Sequence, residues 1–143
     1  MENESKTDKT KEWYRALRKP SWAPPSWVFG PVWTALYLII AISYGFVAYE
    51  SFKGIVPVSI LVVFIANLVF NFLYTPLQFG LRNLVLATID IFLVLGTLIA
   101  ALVMIHPYFS WVSLVNIPYL LWVSFATILQ CAITFKNQDK WTT

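Results

Sequence analysis

The chain has 143 residues, enough for one domain of ordinary size. Hydrophobic residues make up 59% of it and charged residues only 12%, about half the charged share typical of soluble domains. Of the seventeen charged side chains, ten fall in residues 1–19 and three in residues 136–143, leaving Glu50, Lys53, Arg82 and Asp90 for everything between. So few charges cannot cover a soluble surface, which excludes a soluble enzyme, a nucleic-acid-binding domain and a disordered chain, and leaves an integral membrane protein.

Residues 1–12 read as a polar, disordered lead-in, because they carry charge without periodicity. They also lack the apolar stretch of a cleavable signal peptide. Residues 13–27 differ. Trp13, Tyr14, Leu17, Trp22 and Trp27 alternate with Arg15, Arg18 and Lys19, and Pro20, Pro24 and Pro25 stiffen the segment. Two readings are open: an interfacial belt with snorkelling basic side chains, or a structured lid over a pocket.

Charge-free windows cover residues 20–49, 54–81 and 91–135. A helix needs about 20 residues to cross a hydrocarbon core of ~30 Å. The first two windows hold one span each, near residues 28–49 and 57–80. His106-Pro107 breaks the third, with Tyr108, Ser110 and Trp111 forming a turn, so spans at about 84–105 and 111–135 follow. The expected fold class is therefore all-α: a four-helix membrane bundle over residues 13–137, with a polar tail at 138–143. An even number of spans puts both termini on one side. Nine basic residues fall on that side against Lys53 alone on the other, which points to cytoplasmic termini.

On the first span, Trp33, Tyr37 and Tyr44 share a face, either as packing or as a ligand box. Ala41, Gly45 and Ala48 form a small-residue strip that a neighbouring helix can approach. The second span carries Asn67, Asn71 and Gln78 on one face, which serve as interhelical glue or as the polar wall of a cavity. Pro76 removes a donor to the Phe72 carbonyl and predicts a kink there. Asp90 is the acidic residue within a span, so it faces the bundle or is protonated. Its candidate partners are Arg82 or an amide of the second span. Structural anchoring and a proton-relay role are both open to it. In the last span Trp122 lies too deep for an interfacial belt, and Pro118 frees the Leu114 carbonyl and predicts a kink in this helix as well. Ser113, Asn116, Ser124, Thr127 and Thr134 add small polar groups, Cys131 reads as a small hydrophobe, and His106 reads as a loop residue. One cysteine and one histidine make no metal site, and no nucleophile–base pair or phosphate loop is present. The residues alone thus describe a bundle with an aromatic and amide-lined interior suited to a flat apolar ligand.

The run Lys19-Pro-Ser-Trp22-Ala-Pro24-Pro25-Ser-Trp27-Val-Phe29-Gly30-Pro31-Val-Trp33-Thr-Ala-Leu-Tyr37 closely resembles the signature of the tryptophan-rich sensory protein / translocator protein (TspO/MBR) family, also called the peripheral-type benzodiazepine receptor family. A second match is Pro118-Tyr119-Leu-Leu-Trp122-Val-Ser124-Phe125-Ala126-Thr127-Ile-Leu129, and a looser one runs from Asn67 through Gln78, Phe79 and Ala87 to Asp90. The resemblance covers residues 13–137. It implies a small, usually dimeric α-helical membrane protein that binds porphyrins, sterols and benzodiazepine-type ligands between its helices, beneath the Trp/Pro-rich loop. By matching position, Trp33 and Trp122 are the pocket tryptophans linked to light-dependent porphyrin breakdown in bacterial members. Trp22, Tyr37, Asn67, Asn71, Gln78 and Ala126 are their implied neighbours in the ligand site.

Three departures stand out. The family has five spans, and the resemblance places the additional first one between the first and second spans here, whereas only polar residues precede Trp13. Gln130 stands where Asn is usual. Phe135 precedes Lys136 where the cholesterol motif of animal members has Tyr. The implied function is a receptor or sensor for porphyrins, with no cofactor required, in a bacterial cell membrane and as a homodimer. The alternatives are a transporter of porphyrin- or sterol-like ligands, a light-dependent porphyrin-degrading protein acting through indole photochemistry, and a helical assembly partner without ligand.

Overall fold

The computed structural model describes residues 16–138. The expected disordered lead-in, with Trp13, Tyr14 and Arg15, and most of the polar tail lie outside the described residues. A 3-10 turn at Ser26–Val28 leads into α1 (Phe29–Phe52), followed by α2 (Val58–Thr75), a π-helical turn (Pro76–Gly80), α3 (Leu84–Ile105), α4 (Ser110–Val115) and α5 (Ile117–Lys136). Among the described residues, four helices are long and apolar enough to cross a membrane, as the charge-free windows require. The chain is an all-α, integral, multi-pass membrane bundle.

Local chemistry sets the helix ends. Gly54 follows α1 with φ of 82°, and the amides of Gly54 and Ile55 return to the carbonyls of Ser51 and Glu50 at 3.0 Å each. That closing motif needs a left-handed residue, which glycine supplies without a Cβ clash. Beside it, Lys53 pairs with the buried Glu50 at 3.5 Å. Pro76 cannot donate to the α2 ladder, and the helix widens there instead of running straight on. Leu81 reaches back five residues to the Pro76 carbonyl at 2.9 Å. Arg82 then takes a left-handed φ of 53°, and Asn83 caps α3 by accepting the Leu86 amide at 2.9 Å.

The last window differs from its expected form in two places. The turn occupies His106 to Phe109, and Ser110 and Trp111 already belong to α4. The amides of Tyr108 and Phe109 both bond the Ile105 carbonyl at 2.9 Å, which spends that carbonyl on turning the chain. The expected single span is also broken at Asn116. Pro118 has no N–H for Leu114, whose carbonyl instead takes the Asn116 backbone amide. The Asn116 side chain, fully buried, donates to Val112 O at 2.8 Å and to Ser43 Oγ at 3.0 Å, fixing the break against α1.

α3 is the centre of the bundle, packed along both α2 and α5 and touched by α4, while α1 lies against α2 and α4. Val47, Val56, Phe64, Leu98, Ala101, Ile105, Tyr119 and Val123 are buried in the shared core. Leu38, Ile42, Val62, Val69 and Phe72 point outward, as lipid-facing side chains do. The strip of Ala41 and Gly45 also faces outward, and nothing lies within 4 Å of a Cβ built at Gly45. α2 meets α1 through Tyr37 and Tyr44 instead, because their hydroxyls find amide partners there.

Candidate functional site

The aromatic residues expected at the site, Trp22, Trp33, Tyr37 and Trp122, join with Phe29, Phe72, Tyr119 and Phe125 into a continuous row of rings. Trp22 meets Phe125 at 5.7 Å, and Phe125 meets Trp122 at 5.8 Å. Trp122 meets Phe29 at 5.6 Å and Trp33 at 6.4 Å, the latter nearly perpendicular at 87°. Trp33 continues to Tyr119 at 6.4 Å and Tyr37 at 5.5 Å, and Tyr37 to Phe72 at 6.0 Å. These separations suit edge-to-face and tilted aromatic pairs. The row runs from the segment before α1 to the seam between α1 and α2, where Tyr37 stays 38% exposed. Ala126, beside Phe125, is half-buried against the core.

Trp122 is the unusual member. Its indole Nε1 is buried and has no hydrogen-bond acceptor among the described residues. An indole N–H is a donor only, and leaving it unpaired in an apolar interior costs about 1–3 kcal/mol. Two other buried atoms share this condition, Asn116 Oδ1 and Asp90 Oδ2.

A polar hub lies under the aromatic chain. Asn67 Oδ1 accepts from Tyr44 at 2.8 Å and Tyr119 at 3.1 Å, while its Nδ2 donates to Val94 O at 3.0 Å and Thr97 Oγ1 at 3.2 Å. A carboxamide has two acceptor positions and two donors, so Asn67 is saturated by α1, α3 and α5. Asn71 accepts from Tyr37 at 3.0 Å and donates to Tyr119 at 2.6 Å. The Tyr37 hydroxyl donates there and keeps its own acceptor capacity toward the exposed seam.

Gln78 joins a different network. Its Oε1 accepts from Gln130 Nε2 at 3.1 Å, and Gln130 also receives the Tyr74 hydroxyl and donates to Thr134 at 3.2 Å. Thr134 and Thr88 are 2.7 Å apart, which ties α3 in. The structure therefore brings Tyr37, Asn67 and Asn71 into one cluster and Gln78, inside the widened turn, into a second with Tyr74 at the end of α2.

Asp90 is buried on α3 as expected, at 4% exposure, but neither of its candidate partners, Arg82 or an amide of the second span, bonds its carboxylate. The Asn67 and Asn71 oxygens and amines are directed to tyrosines, a carbonyl and a threonine. Arg82 sits in the left-handed loop before α3, out of helical register with Asp90.

The segment before α1 divides between its two expected roles. Leu17 is buried with Leu84, Leu129 and Ile133, and Ala23 packs against that cluster. Trp22 lays its ring against Phe125 while staying about half exposed, whereas Trp27 is 74% exposed. The backbone of Arg18 is bonded at both N–H and C=O by Asn137, just beyond α5.

Sequence reasoning left Tyr119, Phe125 and Asn137 outside the site. Tyr119, Trp122 and Phe125 follow one another at i, i+3 and i+6, a helical spacing that was available to find the first two. Asn137 carried no such signal, because its partner is 119 residues away. No group of His, Cys, Asp and Glu suited to a metal occurs among the described residues.

Residues 2–136 match the sequence profile of the TspO/MBR family. The tryptophan-rich protein TspO of Bacillus cereus is 40% identical over 122 residues, which cover 85% of this chain and 78% of that protein. The translocator protein of Homo sapiens is 34% identical over 131 residues, covering 87% and 75%. The tryptophan-rich sensory protein of Cereibacter sphaeroides is 33% identical over 119 residues, covering 83% and 73%. With its tryptophan-lined interior and four long apolar helices, the chain belongs to the TspO/MBR family.

Proposed function

We propose that this protein is a membrane receptor or sensor for porphyrins and related flat apolar ligands, held between α1, α2 and α5 beneath the segment that carries Trp22. The relatives' names, translocator protein and sensory protein, support a receptor, sensor or transporter role. The observation that carries the ligand class is the buried Trp122 N–H, unpaired among the described residues inside a cluster of aromatic rings. A planar ligand with an acceptor on its edge stacks on those rings and pairs that donor.

In this reading Trp22, Trp33, Trp122 and Ala126 supply the apolar contact. Tyr37 offers its hydroxyl oxygen and Asn71 holds that hydroxyl in place. Asn67 keeps the frame rigid, since its own hydrogen bonds are spent, and Gln78 borders the site from the second network. The protein works as a homodimer with both termini in the cytoplasm. Arg18, Lys19, Arg82 and Lys136 all lie at the terminal end of the bundle, against Lys53 at the other, which supports that orientation.

The test is quenching of tryptophan fluorescence by protoporphyrin IX in nanodiscs. Trp122→Phe keeps the ring and removes the donor, and it is expected to weaken binding about tenfold, the worth of one buried hydrogen bond. Equal affinity in Trp122→Phe and Trp33→Phe as in the parent refutes the site. Porphyrin flux into proteoliposomes separates a transporter from a receptor.

A further inference from the structure

The segment before α1 is attached to the bundle at two places of very different character. At its pocket end the attachment is apolar contact alone among the described residues, the Trp22 ring on Phe125 with Trp22 48% exposed, and Ala23 half-buried against the Leu17 cluster. At its far end the attachment is a clasp. Asn137 Oδ1 accepts the Arg18 amide at 3.0 Å, and Asn137 Nδ2 donates to the Arg18 carbonyl at 2.9 Å. The same Nδ2 also donates to Ile133 O at 2.7 Å, which fixes the side chain to the last turn of α5. Asn137 is completely buried, and Leu17 beside the clasp is 4% exposed among Leu84, Leu129 and Ile133.

A primary carboxamide is a copy of the peptide group, so it can take both the N–H and the C=O of one residue at once. An aspartate can accept but not donate, and an alanine can do neither. The chemistry at position 137 is therefore matched to holding backbone. Held here, the chain has only residues 19–21 in which to set the height of Trp22 over Phe125, and Phe125 in turn touches Trp122.

We propose that Asn137 is the latch of a lid made by the segment before α1. It fixes the foot of the lid at Arg18, and the flap that carries Trp22 lifts and closes on that foot. Asn137 touches no ligand; it is a positioning residue that sets how often the pocket opens. This rests on the pocket reading above and adds to it a control on ligand exchange. Breaking the latch raises the rates of entry and exit together and changes affinity less than either, because both depend on the open fraction.

The experiment has two arms on the full chain in nanodiscs. The first needs no ligand: A23C in a Cys131→Ser background is labelled with a maleimide, since Ala23 is a residue of the lid half-buried against the bundle, and the native Cys131 on α5 reports separately on the bundle. Asn137→Ala is expected to raise labelling at position 23 on the order of tenfold, with Asn137→Asp between it and the parent, while labelling of Cys131 is unchanged. Unchanged labelling at position 23, or an equal rise at Cys131, overturns the latch. The second arm follows protoporphyrin IX quenching by stopped flow, where association and dissociation should both quicken in Asn137→Ala. Binding with unaltered rates overturns the latch. A response at position 23 with no porphyrin binding in any variant leaves the latch standing and refutes the binding reading.

Discussion

The hydroxyl of Tyr44 donates to the carboxamide oxygen of Asn67 at 2.8 Å, and both side chains are buried. The same oxygen takes the Tyr119 hydroxyl, so one amide on α2 holds α1 and α5 at once. Asn67→Leu keeps the branched shape of Asn and leaves the Tyr44 and Tyr119 O–H donors without their acceptor. It should cost roughly 2–4 kcal/mol, at about 1–3 kcal/mol per unpaired group with some relaxation. Tyr44→Phe removes only one bond and should cost about 1 kcal/mol. Unfolding in mixed detergent micelles measures both. A double variant less destabilised than the two single effects together would give the coupling through the shared oxygen.

Tyr37 separates binding from stability. Its hydroxyl bonds Asn71 at 3.0 Å, but the residue is 38% exposed at the seam between α1 and α2. Tyr37→Phe leaves the ring against Trp33 and Phe72. The fold should change by less than about 1 kcal/mol, whereas porphyrin affinity should fall about three- to tenfold. Titration of tryptophan quenching checks the second figure and thermal unfolding the first. A loss of stability without a loss of affinity would place Tyr37 in the frame and outside the ligand site.

How much of this was legible in the sequence depends on how local each feature is. The spans follow from charge-free length, and Pro76 announced the irregular turn because a missing donor acts on its own helix. The family signature is likewise a contiguous run around Trp22 and Trp33. What could not be read was pairing across the bundle. Asn67, Asn71 and Gln78 look alike along the second span, yet two join the tyrosines of α1 and α5 while Gln78, inside the widened turn, meets Gln130. Asp90 had two plausible partners on sequence and bonds neither, since hydrogen bonding depends on rotation about each helix axis. The break at Asn116 was announced by Pro118, but its anchoring to Ser43, 73 residues earlier, was not.

Gln130 tests the second network. It spans Tyr74, Gln78 and Thr134 with one side chain that is 1% exposed. Gln130→Asn keeps the chemistry but shortens the reach by one methylene, so it cannot serve all three partners. A loss of about 1–2 kcal/mol is expected, from one broken buried bond and a small void. Gln130→Leu removes every bond and should cost more. An unchanged midpoint in Gln130→Asn would mean that α5 shifts to close the gap.

Substitutions at two loop positions should act with opposite sign, one adding a Cβ and the other removing it. Gly54 and Arg82 both have left-handed backbone, at φ of 82° and 53°. For a residue other than glycine that conformation costs roughly 1–2 kcal/mol. Gly54→Ala therefore imposes the penalty and should destabilise the chain by about 1 kcal/mol, weakening the turn that brings the Gly54 and Ile55 amides back to α1. Arg82→Gly releases the same penalty. Part of the gain is offset because glycine also frees the unfolded chain, so a net stabilisation of about 0.5 kcal/mol is expected. The Asn83 cap on Leu86 should be untouched, since it uses the next residue's side chain. Paired unfolding curves in the same detergent decide the matter. A loss of stability in Arg82→Gly would mean that the guanidinium contributes more at the membrane surface than the backbone strain costs.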